Sequence, residues 1–257
     1  MTGELVEVRV PDGTAEAWVS RPDGAGPHPG VLLFMDAFGI RPQIRRMAER
    51  IAGWGYVVLA PNVFHRAGTV ADLEPSADLR RPEERERAIR SAMARVGALT
   101  PPLAERDIPA YVDALRALSG VADGPVGVTG YCMGARLAVR AAGLRPDVVA
   151  ACGGFHGGGL ATEDDDSPHR GLASAKAAFC FGHADHDRSM GPEAIARLDR
   201  ALDDAGLEHV TEVYVGAPHG YTMADTSSYD EAAAERHYVA LRDLLDRTLR
   251  PGSCGRS

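Results

Sequence analysis

Six short apolar runs, spaced along the chain from residue 31 onward, constrain the fold more than any other feature of the sequence. Each run is continuous rather than alternating, which is typical of strands buried on both faces. The runs are residues 31–35, 56–60, 125–129, 148–152, 177–181 and 210–215. Helix-period segments lie between most of them, and this alternation predicts an α/β fold with a mostly parallel central sheet and helices on both faces.

The remaining segments complete a single predicted domain. Helical periodicity covers residues 43–53, 83–96, 103–118, 132–144, 192–205 and 229–249. Residues 5–10 and 15–20 alternate apolar and polar side chains around the turn sequence PDG, which predicts an N-terminal antiparallel hairpin. Residues 62–81 show neither pattern and are expected to form an excursion over the sheet. We expect one domain over residues 1–250 and a disordered tail over residues 251–257.

Charge and cysteine content narrow the function classes. With 28 Lys+Arg against 36 Asp+Glu, the formal net charge is -8, which argues against nucleic acid and anionic membranes as partners. The N-terminus has neither a basic nor an apolar leader segment, and no apolar run approaches the ~20 residues that span a bilayer. Four cysteines without a CxxC pair favour free thiols in a reducing compartment. The sequence therefore predicts a cytoplasmic protein.

The pentapeptide GYCMG, residues 130–134, is the most specific motif in the chain. It follows a predicted strand and opens a predicted helix, as the nucleophile elbow of an α/β-hydrolase does, with cysteine in place of the commoner serine. Glycines flank such a nucleophile because the turn is crowded and strained. The helix N-terminus favours a thiolate at Cys132, and the Met133 N–H is expected to face a forming oxyanion. Taken alone, the motif is equally compatible with a small buried cysteine in a strand-to-helix turn.

A catalytic cysteine needs a base and a group that orients the base, because the free thiol is only a few per cent ionised near neutral pH. In this fold the order along the chain is nucleophile, acid, histidine. Asp185 and His219 follow that order, each just after a predicted strand, at the sheet edge where open α/β sheets place their sites. Asp187 is a second choice for the acid.

Taken together, these segments resemble the dienelactone hydrolase family, a branch of the α/β-hydrolases with a cysteine nucleophile. The resemblance extends from about residue 6 to residue 249 and is carried by GYCMG, FGHAD (181–185), GAPHGY (216–221), MDAFG (35–39) and residues 56–62. It implies a catalytic triad of Cys132, Asp185 and His219. The Ala37 and Met133 N–H groups would form the oxyanion hole.

The resemblance also has two departures that bear on the substrate. Asp36 stands where the family typically has a glutamate that contacts the thiol, and Asp36 is the predicted thiol-contacting residue. Because aspartate is one methylene shorter, that contact is expected to be either bridged by water or lost. Met223 stands near the place where the family has an arginine that holds the carboxylate of dienelactone. The absence of this arginine argues against dienelactone as the substrate. Arg80 or Arg81 lies in a region where the family carries a substrate-binding arginine. Predicted pocket residues are Phe38, Tyr131, Phe155, His156, Tyr221 and Met223.

We therefore expect a hydrolase that cleaves a small-molecule ester or lactone through a Cys-His-Asp triad and a thioester intermediate. It would act without a cofactor, as a monomer or homodimer. The cluster HADHD at residues 183–187 has metal-ligand side chains but no supporting second cluster, so no metal site is predicted. His156 could equally be a loop histidine without a role. Alternatives are a thioesterase, a biosynthetic lactone-processing enzyme, or a catalytically silent binding protein on the same fold.

Overall fold

A sheet of eight strands runs through the centre of the molecule in the computed structural model, which describes residues 2–24 and 26–250. The strands are β1 (Thr2–Val10), β2 (Gly13–Arg21), β3 (Gly30–Phe34), β4 (Val57–Pro61), β5 (Val126–Tyr131), β6 (Val149–Phe155), β7 (Ala178–Ala184) and β8 (His209–Tyr214). Their spatial order is β1-β2-β4-β3-β5-β6-β7-β8. The β1–β2 and β2–β4 pairs are antiparallel and the other pairs are parallel, which confirms the predicted hairpin and mostly parallel sheet.

Helices cover both faces of this sheet. They are α1 (Pro42–Ala52), α2 (Val70–Leu73), α3 (Pro82–Ala98), α4 (Pro101–Ala117), α5 (Met133–Leu144), α6 (Pro192–Asp204) and α7 (Glu231–Leu249), with a 3₁₀ helix over Pro168–Ser174. Helices α4 and α5 pack against each other and against the central strands, whereas α7 contacts β5, β6 and β7 and is joined to α1 by the Arg50–Glu235 ion pair. The α/β fold class is thereby confirmed.

Strand burial explains why the apolar runs are continuous. Strands β3, β4, β5 and β7 are buried at every position, because helices exclude water from both of their faces. The edge strand β8 is different, with several half-exposed or exposed side chains. The central strands therefore form a rigid base, and residues that follow their carboxyl ends meet along one edge of the sheet.

Two segments were predicted to lie outside the alternating strands and helices, residues 62–81 and residues 251–257. The excursion over residues 62–81 contains the short helix α2, whose first turn is held by a capping box between Thr69 and Asp72. The tail predicted for residues 251–257 lies outside the described residues. Within residues 2–24 and 26–250, no helix combines the length and the apolar character needed to cross a membrane.

Candidate active site

The turn between β5 and α5 holds Cys132 in a strained conformation. Its φ and ψ are 56° and -119°, a region that non-glycine residues rarely adopt, and α5 begins at the next residue. A side chain at Gly130 would collide with the carbonyl group of Gly134, and one at Gly134 would collide with the carbonyl group of Phe34. The predicted need for glycines in this elbow is confirmed, and the partly exposed thiol stands above the sheet edge.

His219 connects the thiol to a carboxylate. Its Nε2 lies 3.0 Å from Cys132 Sγ, and its Nδ1 lies 2.6 Å from Asp187 Oδ2. An ionised carboxylate only accepts hydrogen bonds, so Nδ1 carries a proton and Nε2 is left to face the thiol. The predicted proximity of His219 to Cys132 is confirmed.

The carboxylate partner of His219 differs from the one predicted. Asp185 Oδ2 accepts a hydrogen bond from the Gly216 N–H at 2.8 Å, so this side chain fastens the loop that leads to His219. Asp187 reaches the imidazole instead, and its other oxygen accepts hydrogen bonds from the backbone and hydroxyl of Ser189. The prediction of Asp185 as the acid of the triad is therefore wrong in this geometry, and the second choice, Asp187, takes its place.

Opposing effects of burial and hydrogen bonding set the charges of His219 and Asp187. Burial alone would lower the pKa of His219, but hydrogen bonds and charges at Asp187 and Cys132 outweigh it and raise the pKa to about 10. Burial alone would raise the pKa of Asp187, but hydrogen bonds from His219 and Ser189 lower it to about 2. The geometry thus favours a protonated His219 beside an ionised Asp187.

We expect the His219 imidazole in the folded protein to titrate near pH 10 rather than near 6.5. Because the folded pKa lies above the unfolded one, this interaction stabilises the fold fully below about pH 6.5 and is lost as the pH rises through about 10. NMR of histidine-labelled protein measures the titration directly. Asp187→Asn should lower the pKa markedly and Asp185→Asn should not, whereas an ordinary pKa in the unchanged protein would contradict the expectation.

The loop after β3 carries the second predicted oxyanion donor. Arg95 donates to the Ala37 carbonyl oxygen from Nε at 3.3 Å and from Nη2 at 3.0 Å, and the Phe38 N–H donates to Asp36 Oδ1 at 3.0 Å. Across the described part of the chain, neither the Ala37 N–H nor the Met133 N–H donates to a protein acceptor. Both groups are thus available for a ligand oxygen.

Asp36 does not contact the thiol as predicted. Arg41 Nη1 lies 2.7 Å from Asp36 Oδ1, and Nη2 lies 3.0 Å from Oδ2, a two-pronged ion pair. The same guanidinium binds Asp225 through Nε at 2.6 Å, and its Nη2 lies 3.5 Å from Met223 Sδ. Arg41 and Asp36 are both almost completely buried. The prediction for Asp36 is wrong because Arg41 holds its carboxylate away from Cys132.

Most of the predicted pocket residues lie in the core below the site. Tyr131, Phe155, His156 and Tyr221 have no exposed surface and contact one another or His237. Tyr221 donates its hydroxyl to the Gly182 carbonyl. The prediction that these four side chains line an open pocket is therefore wrong. Phe38 does line a cleft of ≈ 410 Å³ beside α3, and Met223 is buried against Arg41.

His156 supports His219 from below. Its Nε2 lies 2.7 Å from Thr222 Oγ1, and its ring packs edge-on against the His219 ring with centroids 5.3 Å apart. Burial lowers the pKa of His156 well below its ordinary value, so the ring is neutral beside the imidazolium. His183 and His186 point apart, one buried and the other exposed. No group of three His, Cys, Asp or Glu side chains within residues 2–24 and 26–250 could hold a metal ion.

Two arginines near the thiol were not found from the sequence. Arg80 and Arg81 are exposed, but Arg85, one turn further along α3, extends its Nη2 to 3.5 Å from the His219 carbonyl oxygen. Arg136 follows the elbow by four residues. Burial lowers the pKa of each guanidinium, and charge on Cys132 acts in the opposite direction. Helical spacing from Cys132 and from Arg81 is the signal that could have identified them.

Comparisons with known proteins agree with this architecture. The model of the dienelactone hydrolase family matches residues 15–249. A carboxymethylenebutenolidase of Rhodococcus opacus is 27% identical over 228 residues, covering 87% of this chain and 82% of that protein. Protein usf of Aquifex pyrophilus is 24% identical over 222 residues, covering 85% of this chain and 87% of that protein.

Solved structures show the same fold. A dienelactone hydrolase from Anabaena variabilis has a TM-score of 0.68 at 19% identity, over 97% of this chain and 99% of that one. A dienelactone hydrolase-like promiscuous phosphotriesterase from metagenomic libraries has a TM-score of 0.79 at 20% identity, over 96% of this chain and 98% of that one. The chain thus has the α/β-hydrolase fold. Because the family model matches nearly its whole length, this protein belongs to the dienelactone hydrolase family.

Proposed function

We propose that this protein hydrolyses a carboxylic ester or lactone, with Cys132 as nucleophile, His219 as acid and base, and Asp187 as the group that orients the imidazole. The observation that carries the proposal is the continuous hydrogen-bonded chain from Cys132 Sγ through both ring nitrogens of His219 to Asp187. Such a chain is the geometric signature of an activated nucleophile.

Acylation begins from the pair in which the proton of Cys132 already lies on His219 Nε2. The sulfur electron pair then forms a bond to the substrate carbonyl carbon, and the carbonyl π electrons move onto oxygen. That oxyanion accepts hydrogen bonds from the Ala37 and Met133 N–H groups. When the carbonyl re-forms, the C–O bond to the alkoxy group breaks, and the leaving oxygen takes the proton from Nε2. The product of this half-reaction is a thioester on Cys132.

Deacylation reverses the proton transfers with water in place of the thiol. Nε2 takes a proton from a water molecule as its oxygen attacks the thioester carbonyl. The C–S bond breaks, the sulfur leaves as thiolate, and the carboxylic acid product departs. Asp187 remains ionised throughout, because its low pKa makes proton transfer from Nδ1 unfavourable.

In this proposal thiol activation rests on His219 rather than on Asp36. Asp36 has both oxygens bound by the buried guanidinium of Arg41. Freeing that carboxylate would leave a buried charge without its partner, which typically costs about 3–5 kcal/mol. The Asp36–Arg41 pair instead supports the oxyanion loop, since Asp36 also accepts the Phe38 N–H.

Arg85 is the residue that would bind an acidic group on the substrate. Arg41, despite its contact with Met223, already pairs with two carboxylates and is 2% exposed, so it has no free donors for a ligand. Arg85 lies next to His219 and forms no ion pair with any residue that the structure describes. It would be the substrate-binding arginine that the sequence resemblance implies for this region.

The direct test is to trap the acyl enzyme. After mixing with p-nitrophenyl acetate and rapid acid quenching, mass spectrometry should find one acetyl group on the peptide that contains Cys132. His219→Gln should accumulate little of this species, because the thiol keeps its proton. Hydrolysis of the ester with no acyl group on Cys132, even in the first turnover, would overturn the proposed mechanism.

A silent binding protein on this fold is the main rival. Backbone strain at non-glycine residues clusters at functional sites, and Cys132 is such a residue. Together with its 3.0 Å contact to His219, this strain favours the enzyme. Thioester substrates would use the same residues, and a turnover comparison of aryl esters, enol-lactones and acyl thioesters distinguishes them.

A further inference from the structure

Arg136 is a cation whose guanidinium interacts electrostatically with Cys132. It lies in the first turn of α5, is partly buried, and has no hydrogen-bond acceptor or carboxylate partner among residues 2–24 and 26–250. Its neighbour one turn later, Arg140, shows the usual arrangement, because it binds Glu105 and the Asp166 carbonyl. A guanidinium that is only partly exposed to water gains from an anionic or polar partner. A carboxylate or hydrogen-bond partner of Arg136 is therefore not supplied by the described chain.

The position of Arg136 places it beside the reacting groups. It follows Cys132, the residue that precedes α5, by four residues, and charge on Cys132 opposes the lowering of the Arg136 pKa by burial. The Gly158-Gly159 segment connects it with His219. A methyl group built on Gly158 would lie 2.5 Å from Ser189 Oγ and 3.9 Å from His219 Cε1, and one built on Gly159 would lie 3.8 Å from Arg136 Cδ. Arg136 and His219 thus border the same two-residue segment.

This location is separate from that of Arg85. Arg85 approaches from α3 and contacts the backbone of the His219 loop, whereas Arg136 belongs to the elbow helix and lies against the loop after β6. The formal charge of the chain is -8, so an anionic ligand gains nothing from the net charge of the protein and depends on local cations. One guanidinium offers two parallel N–H donors, which match the two oxygens of a carboxylate.

We propose that Arg136 forms a second anion subsite, which binds a carboxylate group of the substrate on the side of Gly158 and Gly159. This proposal rests on the proposed ester hydrolysis for its substrate, but the subsite itself is a property of the residues around Cys132. Arg136 thus selects among esters by their charge, and it does so from the elbow helix rather than from the histidine loop, where Met223 stands.

Alkylation of Cys132 tests the subsite without any turnover. Iodoacetate and iodoacetamide have nearly the same shape and differ in carrying a carboxylate or an amide. We expect the ratio of their rates at Cys132, located by peptide mass, to fall about tenfold to a hundredfold in Arg136→Gln, as loss of a charge-assisted hydrogen bond implies. Arg136→Lys should recover part of the ratio. Arg140→Gln removes the same charge one turn away and should leave the ratio unchanged.

Two charged esters then locate the carboxylate. The p-nitrophenyl hemisuccinate carries it on the acyl side and 4-acetoxybenzoate on the leaving-group side, and each is compared with p-nitrophenyl acetate. A fall in either preference ratio of kcat/KM in Arg136→Gln supports the subsite. If neither ester ratio nor the alkylation ratio changes, the proposal is wrong. An alkylation ratio that depends on Arg136, in a protein that hydrolyses none of these esters, would keep the subsite and overturn the proposed function.

Discussion

Replacing Asp187 with asparagine should lower kcat/KM for p-nitrophenyl acetate by about 10⁴-fold, the size of effect seen where a carboxylate sets the histidine tautomer. Asp187 Oδ2 accepts a hydrogen bond from His219 Nδ1–H, with 2.6 Å between the two heavy atoms. An asparagine can present an N–H there instead, which would place the imidazole proton on Nε2, facing the thiol. His219 could then no longer accept the proton of Cys132. Steady-state kinetics with a matched circular dichroism spectrum measure the loss.

Asp185→Asn is the matched control for this prediction. Both carboxylates belong to the turn after β7, and both have lowered pKa values. Asp185 accepts from the Gly216 backbone and lies 3.7 Å from His186 Nε2, and the asparagine side-chain oxygen can still accept the Gly216 bond. We expect a small loss of stability and a small change in kcat/KM. A large loss of activity in Asp185→Asn with little in Asp187→Asn would show that the resting geometry misassigns the acid.

The fold could be predicted largely because its signal is local. Continuous apolar runs mark strands buried on both faces, and in the structure β3, β4, β5 and β7 have no exposed position. The elbow motif was equally readable, since Gly130 and Gly134 are required by contacts within a few residues of Cys132 and with the adjacent strand. The short helix α2 was missed because its four residues are too few to show a period.

The site could be predicted only where chain order determines it. Asp185 and Asp187 are two residues apart in one turn, and which of them reaches His219 depends on backbone angles such as the positive φ of His186, which composition does not reveal. The pairing of Arg41 with Asp225 joins residues 184 positions apart. Arg41, fixed in place by Asp225, binds both carboxylate oxygens of Asp36. The predicted contact between Asp36 and the thiol therefore failed partly because of a residue far away in the sequence.

Replacing Cys132 with alanine should abolish ester turnover, with a loss of at least about 10⁴-fold in kcat. The oxyanion donors at Ala37 and Met133 would remain, so substrate could still bind, but no thioester could form. Assays with p-nitrophenyl acetate and a simple enol-lactone measure the loss against enzyme-free controls. Activity in Cys132→Ala within tenfold of the unchanged enzyme would sink the assignment of the nucleophile.

Two buried cysteines, Cys152 and Cys180, provide the control for that experiment. Cys180 is buried on β7, and burial raises the pKa of its thiol to about 12, so it is a poor nucleophile near neutral pH. Cys152 is likewise fully buried with a raised pKa. Cys180→Ala should therefore keep the esterase activity and the labelling of Cys132 by iodoacetamide. His219 and Asp187 are unchanged in that variant. An equal loss of esterase activity in Cys180→Ala and Cys132→Ala would therefore indicate a packing defect rather than the missing nucleophile.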